Sequence, residues 1–364
     1  MRILHTEASC GWGGQEIRIL SEAQGLRQRG HEVMLVCPPE ARIFHEAARF
    51  SVPVQALPIG RKNLRGLLAM RAFLARQPFD VINTHSSTDA WLVALANIWA
   101  SKKIPVVRTR HISAPVSGNL TTRWLYAQAT QYLATTGEAL REQLLTALPI
   151  IPERIVSIPT GVDTNHYAPA DEALRLQQRQ RLSLPEQVTL IGIVATLRSW
   201  KGHRFLVDAL AHLDAETHLV IVGDGPQHEA LVAQIAASSA RERIHLVGSH
   251  PDVAPWLQAC DIFVLPSYAN EGVPQALMQA MACGLPCITT AVGAIPELAQ
   301  DGLTARVVPP QDSAALVEAL RELQANPALR QRLGLAARAR VEARYSREQM
   351  LDRMEQLFER AVQA

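Results

Sequence analysis

The sequence predicts an α/β protein made of two doubly wound domains, and three observations lead to this fold class. Short apolar segments, typical of strands in a parallel sheet covered on both faces, alternate with helical patterns along the chain. The chain has 364 residues, which is enough for two domains of ordinary size. With 48% apolar and 19% charged residues, its composition is that of a globular protein with a substantial core.

The first half of the chain carries the signals of one such domain. Strands are predicted at residues 2–6, 33–37, 54–57, 81–83, 106–109, 132–135 and 155–158, and helices at residues 15–29, 43–50, 64–76 and 90–100. The helix at 64–76 is amphipathic, and we expect its arginines to face outward. Its buried face is expected to contain Leu67, Leu68, Phe73 and Leu74.

A connection at residues 159–169 leads into the signals of a second domain. A helix is predicted at residues 171–181, and strands at residues 189–194, 218–222, 244–247, 262–265, 287–290 and 306–308. The last helix is expected to begin at Ser346, because Ser346 and Gln349 form a capping-box pattern. We therefore expect one domain at residues 1–165, a second at residues 170–345, and a terminal helix at about 346–364.

The two halves differ in charge. Residues 1–165 contain 18 Lys and Arg against 12 Asp and Glu, whereas residues 166–364 contain 18 against 22. Residues 47–79 and 90–137 contain no acidic residue at all. A basic first half favours an anionic partner such as lipid head groups or a phosphorylated glycan, with a solvated basic surface as the alternative. Nothing in the sequence suggests a nucleic-acid partner.

Cysteine usage and hydropathy point to a cytoplasmic protein. The five cysteines are odd in number and scattered, which argues against a disulfide framework and against a zinc site. Arg2 leads directly into a strand pattern, so we expect no secretory signal, and no apolar run reaches membrane-spanning length. No Asp-x-Asp motif occurs, so we expect no metal at the active site and no cofactor.

One loop in the second half carries the chemistry around which the rest is arranged. Pro266 and Ser267 end the strand at 262–265 at its carboxyl edge, where open α/β sheets bind ligands. Glu271 follows, and Pro274 is expected in the first turn of the next helix, where its missing N–H is tolerated. A carboxylate and several free backbone N–H groups thus meet at one helix N-terminus. This arrangement predicts a site for anions and hydroxyl groups.

The stretch resembles the signature of retaining glycosyltransferase family 4, whose hallmark is a Glu, seven residues and a second Glu. Glu271 matches the first Glu; the resemblance implies that it holds the donor sugar together with the backbone of Gly272, Val273, Pro274 and Gln275. The second position is Gln279, a departure from the pattern. We expect it to grip the ribose through an amide, which carries no charge and accepts through one oxygen.

The resemblance also assigns donor-binding residues elsewhere in the second domain. Arg198 and Lys201 match the family's Arg and Lys, which neutralise the diphosphate of the donor, and fixed cations suit a leaving group that gains negative charge. Asp224 and Gly225 belong to a Gly-Asp-Gly-Pro turn that the family shares. Two further donor-binding residues, at the positions where the family binds the base of the nucleotide, are His250 and Val253.

In the first domain, the resemblance assigns one glycine loop and two strand ends. Gly13 and Gly14 match a loop that approaches the diphosphate, and their spacing is not the dinucleotide fingerprint, which disfavours an oxidoreductase. His111 matches a histidine beside the donor sugar and is grouped with Glu271 as catalytic. The residues placed on the acceptor side are His85 and Arg110, and for His85 a purely structural role is the stronger alternative.

The resemblance implies a GT-B fold, in which two Rossmann-like domains face each other across a deep cleft and the terminal helix returns to the first. It also implies a metal-independent enzyme that moves a sugar from a nucleotide diphosphate sugar to a hydroxyl of a glycan or lipid-linked acceptor, with retention of configuration. We expect a role in lipopolysaccharide-type envelope synthesis, on the inner face of the cytoplasmic membrane. Two alternatives remain: a GT-B sugar-nucleotide epimerase, and a non-catalytic nucleotide-sugar-binding protein, which Gln279 suggests.

Overall fold

The computed structural model describes residues 1–100, 102–111, 114–269 and 271–364. It divides the chain into two compact units, Met1–Gly161 with Arg347–Ala364, and Val162–Ser346. The boundary between the units comes slightly earlier than the predicted one at residue 165. Two parts of the sequence motifs, residues 112–113 after His111 and residue 270 before Glu271, lie outside the described residues.

The first unit is built on a parallel sheet of seven strands, in the order β3-β2-β1-β4-β5-β6-β7. The strands are β1 (Arg2–Thr6), β2 (Glu32–Cys37), β3 (Val54–Ala56), β4 (Val81–Thr84), β5 (Val106–Arg110), β6 (Tyr132–Thr135) and β7 (Ile155–Ser157). Their helices are α1 (Gly14–Gln28), α2 (Arg42–Glu46), α3 (Leu64–Arg76), α4 (Ser87–Ile98), α5 (Leu120–Ala127) and α6 (Glu138–Ala147). Short 3₁₀ segments occupy Ala47–Phe50 and Pro152–Arg154.

The second unit contains a parallel sheet of six strands, in the order β10-β9-β8-β11-β12-β13. The strands are β8 (Thr189–Val194), β9 (Thr217–Val222), β10 (Ile244–Gly248), β11 (Ile262–Leu265), β12 (Cys287–Thr290) and β13 (Arg306–Val308). Its helices are α7 (Glu172–Arg181), α8 (His203–Leu210), α9 (His228–Ala237), α10 (Ala254–Ala259), α11 (Gln275–Ala282), α12 (Ile295–Leu298), α13 (Ser313–Ala325) and α14 (Pro327–Arg344). The 3₁₀ segments here are Ser199–Lys201 and Arg241–Arg243.

The terminal helix α15 (Arg347–Gln363) belongs to the first unit, although it follows the second unit in the chain. It packs beside α1 over one face of the first sheet, and Phe358 is completely buried in that layer. Contact with α1 is close: a Cβ on Gly25 would lie 2.4 Å from Leu351. The opposite face of the same sheet is covered by α3 and α4, with Met70 and Val93 in its core.

The predicted fold class, two doubly wound α/β domains, is confirmed. Strand order reverses between β1 and β4 in the first sheet and between β8 and β11 in the second. These reversals are the topological switch points at which open α/β sheets leave a crevice for ligands. Among the helices that the described residues form, none is both long enough and apolar enough to cross a membrane.

Some local predictions were wrong. Leu68 was expected in the core, but its side chain is 53% exposed, and Met70 takes the buried position instead. The stretch predicted as helical at 43–50 is helical, and its second half, Ala47–Phe50, is a tighter 3₁₀ segment. Pro274 precedes α11 instead of lying in its first turn. For Leu68 and Pro274, the sequence pattern leaves the buried face and the start of the helix uncertain by a residue or two, and tertiary packing fixes both.

Candidate active site

Lys201 and Glu271 meet at the switch point of the second sheet. Lys201 follows β8 and Glu271 follows β11, the two strands on either side of the reversal. The Lys201 ammonium donates to Glu271 Oε1 over 2.6 Å, and Ser267 Oγ donates to the same oxygen over 2.5 Å. The Glu271 side chain is only 5% exposed. A buried carboxylate is therefore fixed in one orientation by a cation and a hydroxyl.

Two glycines allow the loops of this site to approach one another. Gly202, directly after Lys201, has φ +78°, and a Cβ there would lie 2.1 Å from the Pro266 carbonyl oxygen. Gly293, after β12, has φ +58°, and its Cβ would lie 2.0 Å from the carbonyl oxygen of Glu271. A side chain at either position would force the loops apart. Both positions require the left-handed backbone that glycine adopts without strain.

The loop after Glu271 leaves backbone donors unused. The N–H groups of Gly272 and Val273 donate to no described residue, and the same holds for Ala276 and Leu277 in the first turn of α11. Pro274 caps this helix as its last non-helical residue, and its carbonyl accepts the first helical hydrogen bond, from Met278. Unpaired N–H groups beside a carboxylate suit a ligand that carries both hydroxyl groups and negative charge.

Arg198 and the Gly-Asp-Gly-Pro turn lie at the neighbouring strand ends. Arg198 is exposed, has no ion pair within the described chain, and lies 5.4 Å over the ring of Trp200. The turn is anchored by Leu197, whose N–H donates to the Asp224 carbonyl over 3.0 Å. Gly225 has φ +158°, and a Cβ there would contact the Leu197 backbone. Asp224 itself is exposed and accepts from the Gly225 N–H over 2.7 Å.

Gln279 has a partner that the sequence did not indicate. Its amide N–H donates to the Tyr167 hydroxyl over 3.1 Å, and Tyr167 belongs to the segment that begins the second unit. Burial raises the pKa of Tyr167. The Gln279 amide oxygen makes no hydrogen bond within the described part of the chain, so it remains available as an acceptor. An amide at this position suits a phenol partner, because it carries no charge that needs compensation.

The two residues expected near the base are held by their own loop. His250 Nε2 is 3.1 Å from the Val247 carbonyl oxygen, and its ring centroid is 4.6 Å from that of Trp256. Val253 is half-buried and packs against the core at the start of α10. The ring of His250 is thus positioned by a backbone acceptor and an aromatic neighbour at the carboxyl edge of β10.

In the first unit, three histidines form a row across the switch-point strands. His5, on β1, has its Nδ1 atom 2.9 Å from Nε2 of His85, which follows β4. The Nδ1 atom of His85 is in turn 2.9 Å from Nε2 of His111, which follows β5. Desolvation lowers the pKa of His5 to about 3 and lowers the pKa values of His85 and His111 well below the usual range, with further lowering from neighbouring charges such as Arg18. All three imidazoles are therefore neutral near pH 7.

The row has a preferred direction. Each neutral imidazole carries one N–H, so the two shared hydrogen bonds must run the same way along the row. His5 Nε2, at the buried end, has no partner in the described residues. A bare lone pair there is less unfavourable than a buried unpaired N–H. We therefore assign the protons so that His5 donates to His85, His85 donates to His111, and His111 presents Nδ1–H at the far end.

Glu7, between β1 and the glycine loop in the chain, is a buried acid that the sequence did not single out. Gly13 caps α1, and Gly14 is its first residue. Glu7 is fully buried and accepts hydrogen bonds from Ser9 N, over 2.7 Å, and from the side-chain amide of Gln15, the second residue of α1. Burial, and then the charge of Asp89, raises the pKa of Glu7 to about 8. The position of Glu7 directly after an apolar strand was the available signal, because strand ends of this kind carry functional groups.

Arg110 lies on the α5 side of the first sheet. Its guanidinium donates to the Ala114 carbonyl over 2.6 Å and to the Tyr126 hydroxyl over 3.2 Å. Among the described residues, no group of three His, Cys, Asp or Glu side chains is arranged to bind a metal ion. The assignments of individual site residues to donor and acceptor stay predictions.

Family models match both halves of the chain. A model described as "Glycosyltransferase Family 4" matches residues 12–166, and one described as "Glycosyl transferases group 1" matches residues 188–326. The first match includes Gly13 and Gly14 of the glycine loop and two members of the histidine row, His85 and His111. The second includes Arg198, Lys201 and the Glu271 loop.

Two curated relatives are similar over most of their length. One is D-inositol 3-phosphate glycosyltransferase of Xylanimonas cellulosilytica, 27% identical over 370 residues, which covers 90% of this chain and 87% of the relative. The other is UDP-Gal:alpha-D-GlcNAc-diphosphoundecaprenol alpha-1,3-galactosyltransferase of Escherichia coli. It is 28% identical over 310 residues, which covers 80% of this chain and 79% of the relative. Among solved structures, the HepE protein of Anabaena in complex with UDP superposes with a TM-score of 0.84 at 21% identity, covering 98% of this chain and 99% of that one.

Proposed function

The chain belongs to glycosyltransferase family 4 and is a glycosyltransferase with the GT-B fold, and from this premise we propose its reaction. It transfers a sugar from a nucleotide diphosphate sugar to a hydroxyl of a glycan or lipid-linked acceptor, and it retains the anomeric configuration. The enzymatic prediction is confirmed by the family and by the names of its relatives. The donor class, the stereochemistry and the acceptor are proposals.

The observation that carries this proposal is the Lys201–Glu271 pair. It places a fixed carboxylate, a cation and unpaired backbone N–H groups at the switch point of the second sheet. Sugar hydroxyls can donate to the carboxylate, while phosphate oxygens can accept from the N–H groups and from Lys201 and Arg198. These cations stabilise the negative charge that develops on the leaving diphosphate, which is the role a metal ion would otherwise have.

Retention follows, in this proposal, from reaction on a single face of the sugar. The acceptor hydroxyl gives its proton to the departing phosphate, so the protein needs no strong base next to the reacting carbon. The histidine row fits this scheme because His111 is neutral and offers an N–H to an oxygen of the sugar. The anomeric configuration of the product, read from proton coupling constants, tests the retention directly.

The donor site is tested with a panel of UDP-, GDP-, ADP- and CMP-sugars in the presence of EDTA. A ligand that binds only the folded protein raises its melting temperature by mass action. We expect one nucleotide class to stabilise the wild-type protein, and Arg198→Ala and Glu271→Gln to abolish the effect. Glu271→Gln should also lower kcat by roughly 100-fold or more, as removal of a transition-state contact does.

The matched control is Arg241→Ala, which removes an exposed arginine paired with Glu242 in the same unit. It should leave both the stabilisation and the activity unchanged. A failure of every nucleotide sugar to stabilise the protein at millimolar concentration would overturn the proposed donor site. A requirement for a divalent cation, shown by loss of activity in EDTA, would overturn the metal-independent scheme.

We also propose that the enzyme acts at an anionic membrane surface in cell-envelope synthesis. One of the relatives has an acceptor linked to diphosphoundecaprenol in its name, which supports a lipid-linked acceptor. The outer face of α3 supports membrane contact: Leu64 is 69% exposed, Leu68 is 53% exposed, and Arg65 is exposed beside them. Apolar side chains among basic ones bind anionic lipid surfaces through both burial and charge.

The membrane proposal is tested by co-sedimentation with vesicles. The wild-type protein should bind vesicles that contain anionic lipid and bind neutral vesicles only weakly, and added salt should weaken the binding. Replacing Leu64 and Leu68 together by Gln should reduce binding, because both side chains are exposed and free to insert. Leu335→Gln, at an equally exposed leucine of the second unit, is the control. Equal binding to neutral vesicles, or equal effects of the two changes, would contradict the proposal.

A further inference from the structure

Arg108 on β5 has a buried guanidinium group without a partner. The residue is 3% exposed, and none of its N–H groups donates to a described residue. Nε and Nη1 are both shielded from solvent. The guanidinium carbon lies 4.3 Å from the ring centroid of Tyr126, which provides a cation–π contact but no hydrogen-bond acceptor. A buried charge left without hydrogen bonds is unfavourable and rare in native proteins, so it requires an explanation.

Two more cations lie beside Arg108. Arg110 contacts the same Tyr126, and its own Nε is also buried and unpaired. Lys62 donates to Ser87 Oγ over 3.1 Å at the start of α4, and its pKa is lowered by burial and then by the charge of Arg108. None of the three forms an ion pair with a described residue, and we call them the Arg108 cluster.

Among the described residues, the acidic side chain that acts on Arg108 and Lys62 is Asp89, and its oxygens are already occupied. Asp89 accepts hydrogen bonds at Oδ2 from Thr6 Oγ, over 2.7 Å, and from His85 N, over 2.9 Å. Its Oδ1 accepts from the backbone and side chain of Ser86, which completes the capping box of α4. These four hydrogen bonds occupy both oxygens of the Asp89 carboxylate. Three cations beside one carboxylate leave the cluster with a positive excess that no described residue neutralises.

We propose that the Arg108 cluster binds a phosphate group carried by the acceptor. A phosphate offers several acceptor oxygens and up to two negative charges, which match two guanidinium groups and one ammonium group. Arg110 is the last residue of β5 and directly precedes His111, so a phosphate bound at the cluster would position an acceptor near the transferred sugar. The donor diphosphate already has Arg198 and Lys201. This inference rests on the proposed function and specifies its acceptor as a phosphorylated one.

The test uses the full-length protein with glucose 6-phosphate and inorganic phosphate as probes. Glucose, which lacks the phosphate group of glucose 6-phosphate, is the uncharged control ligand. Dissociation constants are measured calorimetrically for the wild type and for Arg108→Met, Arg198→Ala and Arg76→Met. Arg76 is an exposed cation at the end of α3 and controls for the loss of one charge. Arg108→Met should weaken binding of both phosphates by about 10-fold or more, the value expected for loss of charge-assisted hydrogen bonds. Arg76→Met should bind as the wild type does, and Arg198→Ala should retain the binding that Arg108→Met loses.

Each other result overturns the inference. Phosphate binding that is lost in Arg198→Ala and kept in Arg108→Met would place the anion at the donor site. Absence of binding at millimolar concentration, or equal weakening by Arg76→Met, would show that no built site exists. Binding to anionic vesicles that falls in Arg108→Met, with no binding of soluble phosphates, would assign the cluster to lipid head groups instead. If Arg108→Met does not fold, as judged by circular dichroism, Arg110→Met takes its place, with a weakening of several-fold expected.

The same measurements separate this inference from the proposed function. Stabilisation by a nucleotide sugar, lost in Arg198→Ala and Glu271→Gln, supports the transferase function whether or not phosphate binds at Arg108. If Arg108 fails its test while that stabilisation remains, only the phosphorylated acceptor is overturned. If the nucleotide sugars also fail to stabilise the protein, the proposed donor site is overturned as well.

Discussion

Glu7 shows how a single buried residue makes the stability of the protein depend on pH. Desolvation beneath the glycine loop, and then the charge of Asp89, raises the pKa of the Glu7 carboxyl from 4.5 to about 8. The folded protein therefore keeps a proton on Glu7 over a pH range in which the unfolded chain has lost it. The contribution of Glu7 to the free energy of unfolding has its full value below the pKa of Glu7 in the unfolded chain. It is lost as the pH rises through the pKa of Glu7 in the folded protein.

We expect Glu7→Gln to remove this dependence. The amide is always neutral, so the free energy of unfolding of the variant should fall less than that of the wild type between about pH 5 and pH 8. Gln15 can turn its own amide to accept from the new N–H group. Urea unfolding across this range gives the comparison, and Glu32→Gln, at an exposed glutamate of β2, is the control. Equal slopes for wild type and Glu7→Gln would show that Glu7 is ionised in the folded protein.

The histidine row is a second property of single residues, and it concerns activity. His5 touches neither His111 nor the proposed sugar site, but it fixes the proton positions along the row through His85. His5→Leu should lower kcat/KM roughly tenfold, because His111 loses its preferred tautomer and orientation. The nitrogen chemical shifts of His111 should change at the same time, which a purely structural role of His5 does not predict.

The control for this change is a histidine pair of similar geometry in the second unit. His218 Nδ1 is 3.1 Å from His245 Nε2, and the two rings stack. His245→Leu should leave activity and the His111 shifts unaltered. An active His5→Leu variant with an unchanged His111 spectrum would show that the row has no positioning role.

At the scale of elements, the site depends on how closely the loops after β8, β11 and β12 approach one another. Gly293→Ala places a methyl group on the carbonyl oxygen of Glu271, in addition to the strain of its positive φ. We expect it to destabilise the protein by more than about 1 kcal/mol and to abolish donor binding. Gly302→Ala is a matched control, because Gly302 has φ +68° and open space around its Cβ position.

Thermal unfolding and nucleotide-sugar stabilisation separate the two glycine variants. Gly302→Ala should show only the backbone strain, about 1 kcal/mol, and should bind the donor normally. Gly293→Ala should lose more stability and also lose donor binding. If both variants bind the donor equally well, the contact between Gly293 and the Glu271 loop is not needed for the site.

At the scale of the whole molecule, the terminal helix α15 packs on the first unit, although it follows the second unit in the chain. Arg29, just after α1, forms ion pairs with Glu348, Asp352 and Glu355 of α15, at distances of 2.7, 2.7 and 3.0 Å. The apolar stripe of α15 is buried over the sheet, as Phe358 shows. The sheet face beneath α1 and α15 is therefore covered by helices from both segments of the first unit, Met1–Gly161 and Arg347–Ala364.

The sequence alone predicted the fold and the loops that hold the chemistry. Strands at 2–6, 132–135, 189–194 and 262–265 have the predicted bounds, because each has an apolar centre that suits a sheet covered on both faces. Glu271 and Lys201 were predicted at strand ends, because motif and topology agree there. Leu68 was misplaced, since an amphipathic pattern leaves the edge of the buried face undetermined.

Only the tertiary structure decided which distant side chains meet. The Gln279–Tyr167 hydrogen bond, the row from His5 to His111 and the unpaired Arg108 each depend on strands or segments that are far apart in the chain. Local patterns record whether a residue is buried, because burial follows the period of its own element. They do not record the partner of a buried polar group, because that partner is set by strand order and by the packing of helices from other parts of the sequence.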